Sequence, residues 1–349
     1  MSLLLYGATG YTGQLIVEYA GKYGLQPILA GRSEAKVKAL ATQWSLPWRV
    51  ADLNNPASVD ALLEGIQVVL HAAGPFQHTA KAMMEGCLRN QVHYLDITGE
   101  IAVFESAARL DERAKTAGIM LLPGAGFDVV PTDCLALYLK NKLPDATHLQ
   151  LAFASGAGLS HGTATTMAEN LGQGGAVRLN GKITRVPVLG HKTMTVPFPG
   201  KSLFVMTIPW GDVSTAFYST GIPNIETYTG VSPSSFKWIK WQRYFNWLLR
   251  TSFVRNLVKS RIQKRPAGPS PEKRKKAISL VWGKVSNGSG KSAEATLRTP
   301  EGYTLTALTS LLIAKKVLNG SAPIGFQTPA KAYGAELIME IEGVERHDL

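Results

Sequence analysis

From Leu3 to about Val130 the chain repeats one rhythm, a short apolar run followed by a helix-length stretch. The runs are Leu3–Tyr6, Pro27–Ala30, Trp48–Ala51, Val68–Ala72, His93–Ile97 and Ile119–Leu122; helical segments begin near Thr12, Ser33, Pro56, His78 and Glu100. Strands alternating with helices predict a parallel sheet covered by helices on both faces. From about Pro144 the rhythm changes. Leu149, Leu151 and Phe153 alternate with polar neighbours over Thr147–Ser155, as in a strand with one buried face. A helix is expected over Ala164–Leu171, then strands at Ile183–Val188, Leu203–Ile208, Val213–Tyr218 and Asn224–Gly230. Ser279–Val285 and Ala293–Arg298 read as a hairpin turning through Ser286–Gly290, and Thr304–Val317 as an apolar helix. The fold class is therefore α/β, a doubly wound parallel sheet (1–133) with a second α+β domain (134–303) built on a mostly antiparallel sheet.

Composition changes this picture at one place. With 349 residues the chain has length for two cores, and no apolar run approaches the ~20 residues a membrane span needs. The first strand starts at once, so no signal peptide is expected. Two distant cysteines, Cys87 and Cys134, make no disulfide framework, and a cytoplasmic location is the expectation. Seven scattered histidines show no ligand spacing, so no metal is expected. The net charge of +12 sits entirely in Ser235–Lys276, where thirteen Lys and Arg face the single acid Glu272. The rest of the chain is neutral, which argues against a protein that coats nucleic acid.

That basic segment also holds Trp238, Trp241, Tyr244, Phe245, Trp247, Leu248, Leu249 and Phe253. Trp238, Trp241, Phe245 and Leu248 share one helical stripe, which rotates past Thr251-Ser252, so two short helices or a bent one are expected. Pro266–Lys276 reads as a polar, basic loop. Tryptophan mixed with lysine and arginine suits a lipid interface. A lid with buried tryptophans over the substrate cleft is the other reading of the same residues. A homodimer stays open.

The chemistry concentrates in the first domain. Gly7-Ala8-Thr9-Gly10-Tyr11-Thr12-Gly13 follows the first strand and opens a helix, as a phosphate-binding loop does. One glycine turns the chain, one admits the pyrophosphate, and one lets the helix pack close; the helix N-terminus then faces the phosphates. The spacing is G-x-x-G-x-x-G, and a plain strand–helix turn would use the same residues. After the second strand, Gly31-Arg32-Ser33 offers a guanidinium where NAD binders place an acid, which favours NADP(H). Asp52 either borders the adenine or caps the next helix. Ala72-Ala73-Gly74-Pro75 ends the fourth strand with small residues that leave room for a cofactor. Thr98, Glu100 and Asp128, at the ends of the fifth and sixth strands, and His161, after the glycine-rich Gly156–Gly158, are the candidate proton donors or orienting groups. Each also has a structural reading, a cap or a sheet-end hydrogen bond. Tyr138-x-x-x-Lys142 matches a short-chain-reductase pair, but on a helix after the sixth strand, where chance is the better account.

GATGYTG, LAGR, AAGPF, YLDITGE and GAGFDVVPTD, in this order, resemble the saccharopine dehydrogenase-like oxidoreductases, nearest the branch with trans-acting enoyl reductases of lipid biosynthesis. The similarity returns at Glu301–Thr304 and Gly325–Ala330 and covers about half the chain. It implies a Rossmann-type NADP-binding domain, a second α+β domain closing over the nicotinamide, and a C-terminal helix and tail (304–349) returning to the first domain. His161 departs from the small residues of the family at that point. The expected function is NADPH-dependent reduction of a C=C or C=O in an apolar, acyl or polyketide-like substrate. The alternatives are a non-catalytic NADP-binding protein at lipid surfaces, or a saccharopine-type amino-acid dehydrogenase. The last wants arginines for substrate carboxylates, and between Leu151 and Ser234 only Arg178 and Arg185 qualify.

Overall fold

Six short strands of the first region share one parallel ladder in a computed structural model, which describes residues 2–349 apart from Ala157, Pro187 and Val188, and side chains apart from Gln242 and Arg243. The chain divides into two compact units, Met1–Val130 with Tyr303–Ala332, and Pro131–Gly302 with Tyr333–Leu349. The first unit runs β1 (Leu3–Tyr6), α1 (Tyr11–Ala20), β2 (Ile28–Gly31), α2 (Glu34–Trp44), β3 (Trp48–Val50), α3 (Pro56–Leu63), β4 (Val68–His71), α4 (Phe76–Asn90), β5 (His93–Asp96), α5 (Ile101–Ala108), α6 (Asp111–Ala117) and β6 (Met120–Leu122). The order across the sheet is β6-β5-β4-β1-β2-β3, and every pairing is parallel. This is the doubly wound Rossmann order, which reverses direction between β1 and β4. Leu3, Leu4, Leu5 and Tyr6 are all buried, as are Val68, Val69, Leu70 and His71. Unbroken apolar strands of this kind need cover on both faces, which only crossover helices supply.

The second unit takes α7 (Val130–Lys142), β7 (His148–Ser155), α8 (His161–Glu169), β8 (Gly175–Leu179), β9 (Lys182–Val186), β10 (Thr193–Phe198), β11 (Lys201–Thr207), α9 (Asp212–Thr220), β12 (Asn224–Gly230), α10 (Pro233–Leu249), α11 (Ser252–Gln263), α12 (Pro271–Lys276), β13 (Ile278–Ser286) and β14 (Ser292–Pro300). Its sheet runs β10-β11-β12-β7-β13-β14, antiparallel except for β12 beside β7. One face buries Ala152, Val196, Phe198, Val205, Tyr228, Leu280 and Trp282 as a single cluster. Gly283 is required by close packing, since a Cβ there would lie 2.8 Å from Leu139 on α7. The chain then crosses back through α13 (Gly302–Leu318), β15 (Gly325–Phe326), which extends the first sheet beside β6, and α14 (Pro329–Tyr333).

Several expectations are corrected. Val213–Tyr218 is not a strand but lies in α9. Val213, Ser214, Thr215 and Ala216 are all buried, where a strand with one solvated face would alternate. The hydroxyls of Thr215, Ser219 and Thr220 turn back to the carbonyls of Gly211, Thr215 and Ala216, so β-branched and hydroxyl residues are satisfied within the helix. Pro266–Lys276 is not all loop, because Ser270 caps α12 by accepting from the Lys273 amide. The predicted strand Ile183–Val188 appears as β9, its last two residues lying outside the described ones. The C-terminal segment divides. Tyr303–Ala332 belongs to the first unit, whereas Tyr333–Leu349 belongs to the second, where β16 (Glu345–Asp348) pairs with β14. There Asp348 takes hydrogen bonds from Tyr138 and Lys142, so that Tyr–Lys pair serves to tie down the tail.

Candidate functional site

The carboxyl ends of β1, β2, β4, β5 and β6 converge in the first unit, and the glycine loop is held tightly among them. The amides of Gly7 and Ala8 both donate to the Ala30 carbonyl, at 2.8 and 3.2 Å, pinning the loop to β2. Gly7 has φ +89°, and a Cβ on it would stand 2.7 Å from the Ala72 carbonyl carbon and the Ala73 nitrogen. A Cβ on Gly13 would stand 2.3 Å from the Gly7 oxygen. The first and third glycines therefore exist for close approach, and Gly10 is the residue at which α1 begins. No side chain caps α1 and no acid sits in its first turn, so its positive end is left for an outside anion. Thr9, Tyr11 and Thr12 are half-buried around it, whereas Ala8 is fully buried and packs.

Arg32 and Ser33 lie exposed just beyond β2, and the Arg32 guanidinium makes no ion pair among the described residues. Ser33 precedes α2 without its hydroxyl capping the helix. Asp52, exposed beyond β3, accepts from the Asn54 amide at 3.0 Å, closing a turn. The reading of Asp52 as a helix cap is corrected, for Asn55 caps α3 by accepting from the Ala57 amide. Ala72 and Ala73 are half-buried against Gly7, and Gly74 is exposed. Thr79 holds this turn by donating to the Ala73 carbonyl at 2.8 Å, and its oxygen faces Nε2 of His71 at 2.9 Å. Complete burial holds the His71 imidazole neutral, with a pKa lowered to about 3.

The four candidates for proton chemistry separate. Glu100 uses both carboxylate oxygens to accept from the amides of Phe76 and Gln77, at 2.9 and 2.8 Å, and so caps α4. Thr98 is buried, its hydroxyl accepting from the Glu100 amide at 3.1 Å. His161 belongs to the second unit, where its Nε2 meets the Arg265 carbonyl at 2.7 Å and its amide donates to Ala267. Asp128 is half-buried beyond β6, packed over Gly99, where a Cβ would come within 2.8 Å of its Oδ2. Burial, with a smaller push from Glu100, raises its pKa to about 7. Thr98, Glu100 and Asp128 thus share one corner of the first unit.

Sequence reasoning missed three supports of that corner. Asp96, fully buried at the end of β5, accepts from the amides of Thr98 and Gly124 at 2.9 Å each and from the Tyr94 hydroxyl at 2.7 Å. Burial outweighs those bonds and lifts its pKa to about 7. Thr306 on α13 accepts from the Phe127 amide at 3.0 Å, and Thr309 donates to the Ala125 carbonyl at 2.8 Å, fastening the loop that carries Asp128. Tyr303 stands edge-on to Tyr11 with ring centroids 5.1 Å apart. The sequence signal was present for the first, an acid at a strand end before Thr-Gly. For the α13 residues nothing local marks a partner some 180 positions away.

These elements define a dinucleotide-binding domain with an uncapped helix N-terminus behind a glycine loop. Residues 3–122 match the family model of the saccharopine dehydrogenase NADP binding domain. The human saccharopine dehydrogenase-like oxidoreductase is 27% identical over 161 residues, which are 40% of this chain and 38% of that protein. The trans-acting enoyl reductase of Mycobacterium leprae is 33% identical over 141 residues, 38% of this chain and 33% of that one. The chain thus matches well under half the length of these relatives. Apo saccharopine dehydrogenase (L-Glu forming) from Saccharomyces cerevisiae superposes with a TM-score of 0.68 at 12% identity, over 100% of this chain and 99% of that one, and shares the fold. Among the described residues no His, Cys, Asp or Glu cluster is arranged to hold a metal.

Proposed function

We propose that the protein is an NADPH-dependent oxidoreductase that reduces a C=C or C=O of an apolar, acyl or polyketide-like substrate. The observation that carries this is the uncapped N-terminus of α1 behind Gly7 and Gly13, with Arg32 exposed and unpaired at the neighbouring strand end. The residues fit the cofactor: the amides of Thr12 and Gly13 at the start of α1 for the pyrophosphate, Arg32 and Ser33 for the 2′-phosphate. NADPH supplies a hydride when bound. Asp128 holds the proton, because a carboxyl with a pKa near 7 is part-protonated at neutral pH. Glu100, Thr98 and Asp96 position it, and α13 keeps its loop in place. The enoyl reductase relative supports the substrate class. An amino-acid substrate fits less well, since Arg178 is buried and already donates to the carbonyls of Val213 and Gly181.

A second reading, a non-catalytic NADP-binding protein at lipid surfaces, is favoured by the exposed aromatic helices of the second unit. Calorimetric titration of NADPH and NADH against wild type and Arg32→Ala tests the cofactor. We expect tight NADPH binding that the substitution weakens about 10–100-fold, towards the NADH level. Turnover on a panel of enoyl and carbonyl compounds, with Asp128→Asn expected to lose about 10²–10⁴-fold, tests the chemistry. Full NADPH binding with no turnover on any member would leave the second reading in place.

A further inference from the structure

The α10–α11 pair inverts the usual order of burial. In an amphipathic helix on a water-soluble surface the apolar stripe packs inward and the charges face water. Here Trp238 is 79% exposed, Trp241 62%, Trp247 71% and Phe253 75%. Phe245, Leu248 and Leu257 are exposed beside them. The inward contacts are instead made by cations. Arg250 donates to the Gly172 carbonyl at 2.8 Å, Arg255 to the Leu171 carbonyl at 3.0 Å, and Lys259 pairs with Glu169 at 2.8 Å. Lys259 meets the last residue of α8 and the two arginines meet the turn that follows it, where positive charge is favoured by the helix dipole. Only Phe236 and Ile262 are buried apolar anchors among the described side chains of the two helices. The expectation of tryptophans buried in a lid is therefore not met.

We propose that α10–α11 is a docking surface for an anionic lipid leaflet, with the aromatic residues entering the headgroup–acyl boundary and the remaining cations meeting the lipid phosphates. The exposed stripe of Trp238, Trp241, Phe245 and Leu248 along one face of α10 marks a surface that is covered in use. Charge selects what covers it. Lys237, Lys240, Arg261, Lys264 and Arg265 are exposed on or beside the two helices, and Lys273, Lys275 and Lys276 follow on α12. A second copy docked on the same face would bring two segments of net charge +12 together, so self-association is disfavoured. A bilayer interface accepts both indole rings and flexible lysines without a fixed geometry.

The test is flotation of the full-length protein with vesicles of phosphatidylcholine alone and of phosphatidylcholine with phosphatidylserine. Wild type should float with the anionic vesicles and markedly less with the neutral ones. The variant Trp238→Ser/Trp241→Ser/Trp247→Ser/Phe253→Ser should bind anionic vesicles at least about tenfold less. Lys237→Gln and Lys240→Gln should each lose about fivefold on anionic vesicles only. An unchanged circular dichroism spectrum and denaturant midpoint in every variant establish that each is folded, and unchanged NADPH affinity separates this surface from the cofactor site, on which the proposal does not depend. No flotation of wild type on either vesicle overturns the proposal, as does flotation that the aromatic variant retains. Aromatic-dependent dimerisation, or aromatic-dependent binding of a nucleic-acid oligomer, in place of vesicle binding would assign the face to those partners and overturn it equally.

Discussion

The loop–helix junction at β1–α1 and the α10–α11 pair are both places where the chain departs from ordinary packing, and they depart in opposite directions. At the first, backbone approaches backbone until no side chain fits; Gly7 and Gly13 leave less than 3 Å to neighbouring atoms. The β1 strand before it is wholly buried, and the Gly7 and Ala8 amides are held by the Ala30 carbonyl. At the second, aromatic side chains stand in solvent while arginines reach inward to carbonyls. Close packing creates a fixed anion site whose geometry does not depend on what binds. Inverted burial leaves apolar area without a partner, which gives little shape selectivity and suits a fluid surface. The contrast is between preorganisation by sterics and recruitment by unburied area.

Substitutions sharpen that contrast. The largest effect is expected in the buried strand: Leu5→Ala should cost about 2–5 kcal/mol, whereas Trp247→Ser should stay within about 0.5 kcal/mol, both from denaturant midpoints. Equal costs would mean that the tryptophan packs in solution and that the two regions do not differ. Next comes Gly7→Ala. The positive φ alone costs roughly 1–3 kcal/mol, and the collision with Ala72 and Ala73 should shift the loop enough to remove measurable NADPH binding by calorimetry. Retained binding would mean that the close approach is incidental.

The last effect is electrostatic and is set by pH. Asp128 has a folded-state pKa of about 7, above the ordinary value near 3.9. A raised carboxyl penalises the folded state above its folded pKa, and the penalty disappears as pH falls below the unfolded pKa. Asp128→Asn should therefore stabilise the protein at pH 8, with the gain shrinking by at most about 1.4 kcal/mol per pH unit and vanishing near pH 4. Denaturant unfolding of both proteins across that range checks it; a gain that is constant with pH would show that Asp128 titrates normally.

Much of the first unit was legible because a parallel sheet writes itself locally. Each strand is a continuous apolar run, each helix begins at a recognisable signal, and ligand-facing residues must follow strand ends. In the basic segment the stripe's break at Thr251-Ser252 left two short helices or a bent one open, and the structure divides it there, with Thr251 capping α11. The second unit was read less well. Val213–Tyr218 carries strand-forming residues, yet hydroxyl-to-carbonyl bonds and consecutive burial make it helical. The proton-donor candidates were indistinguishable as letters, because an acid at a strand end is the same signal whether it caps a helix or stays protonated.

The sequence by itself determined the α/β class, the strand order's ingredients, the glycine loop after the first strand and the location of all the excess charge. These depend on periodicity, on glycine and on counting, which are local or additive. Only the tertiary structure decided that Glu100 is consumed by α4, that Asp96 and Asp128 are both lifted to near neutrality, and that Thr306 and Thr309 of the returning α13 fasten the loop of Asp128. It alone decided that the tryptophans of α10–α11 face out. Burial and partner choice are relations between distant segments, and no window of sequence contains both halves of them.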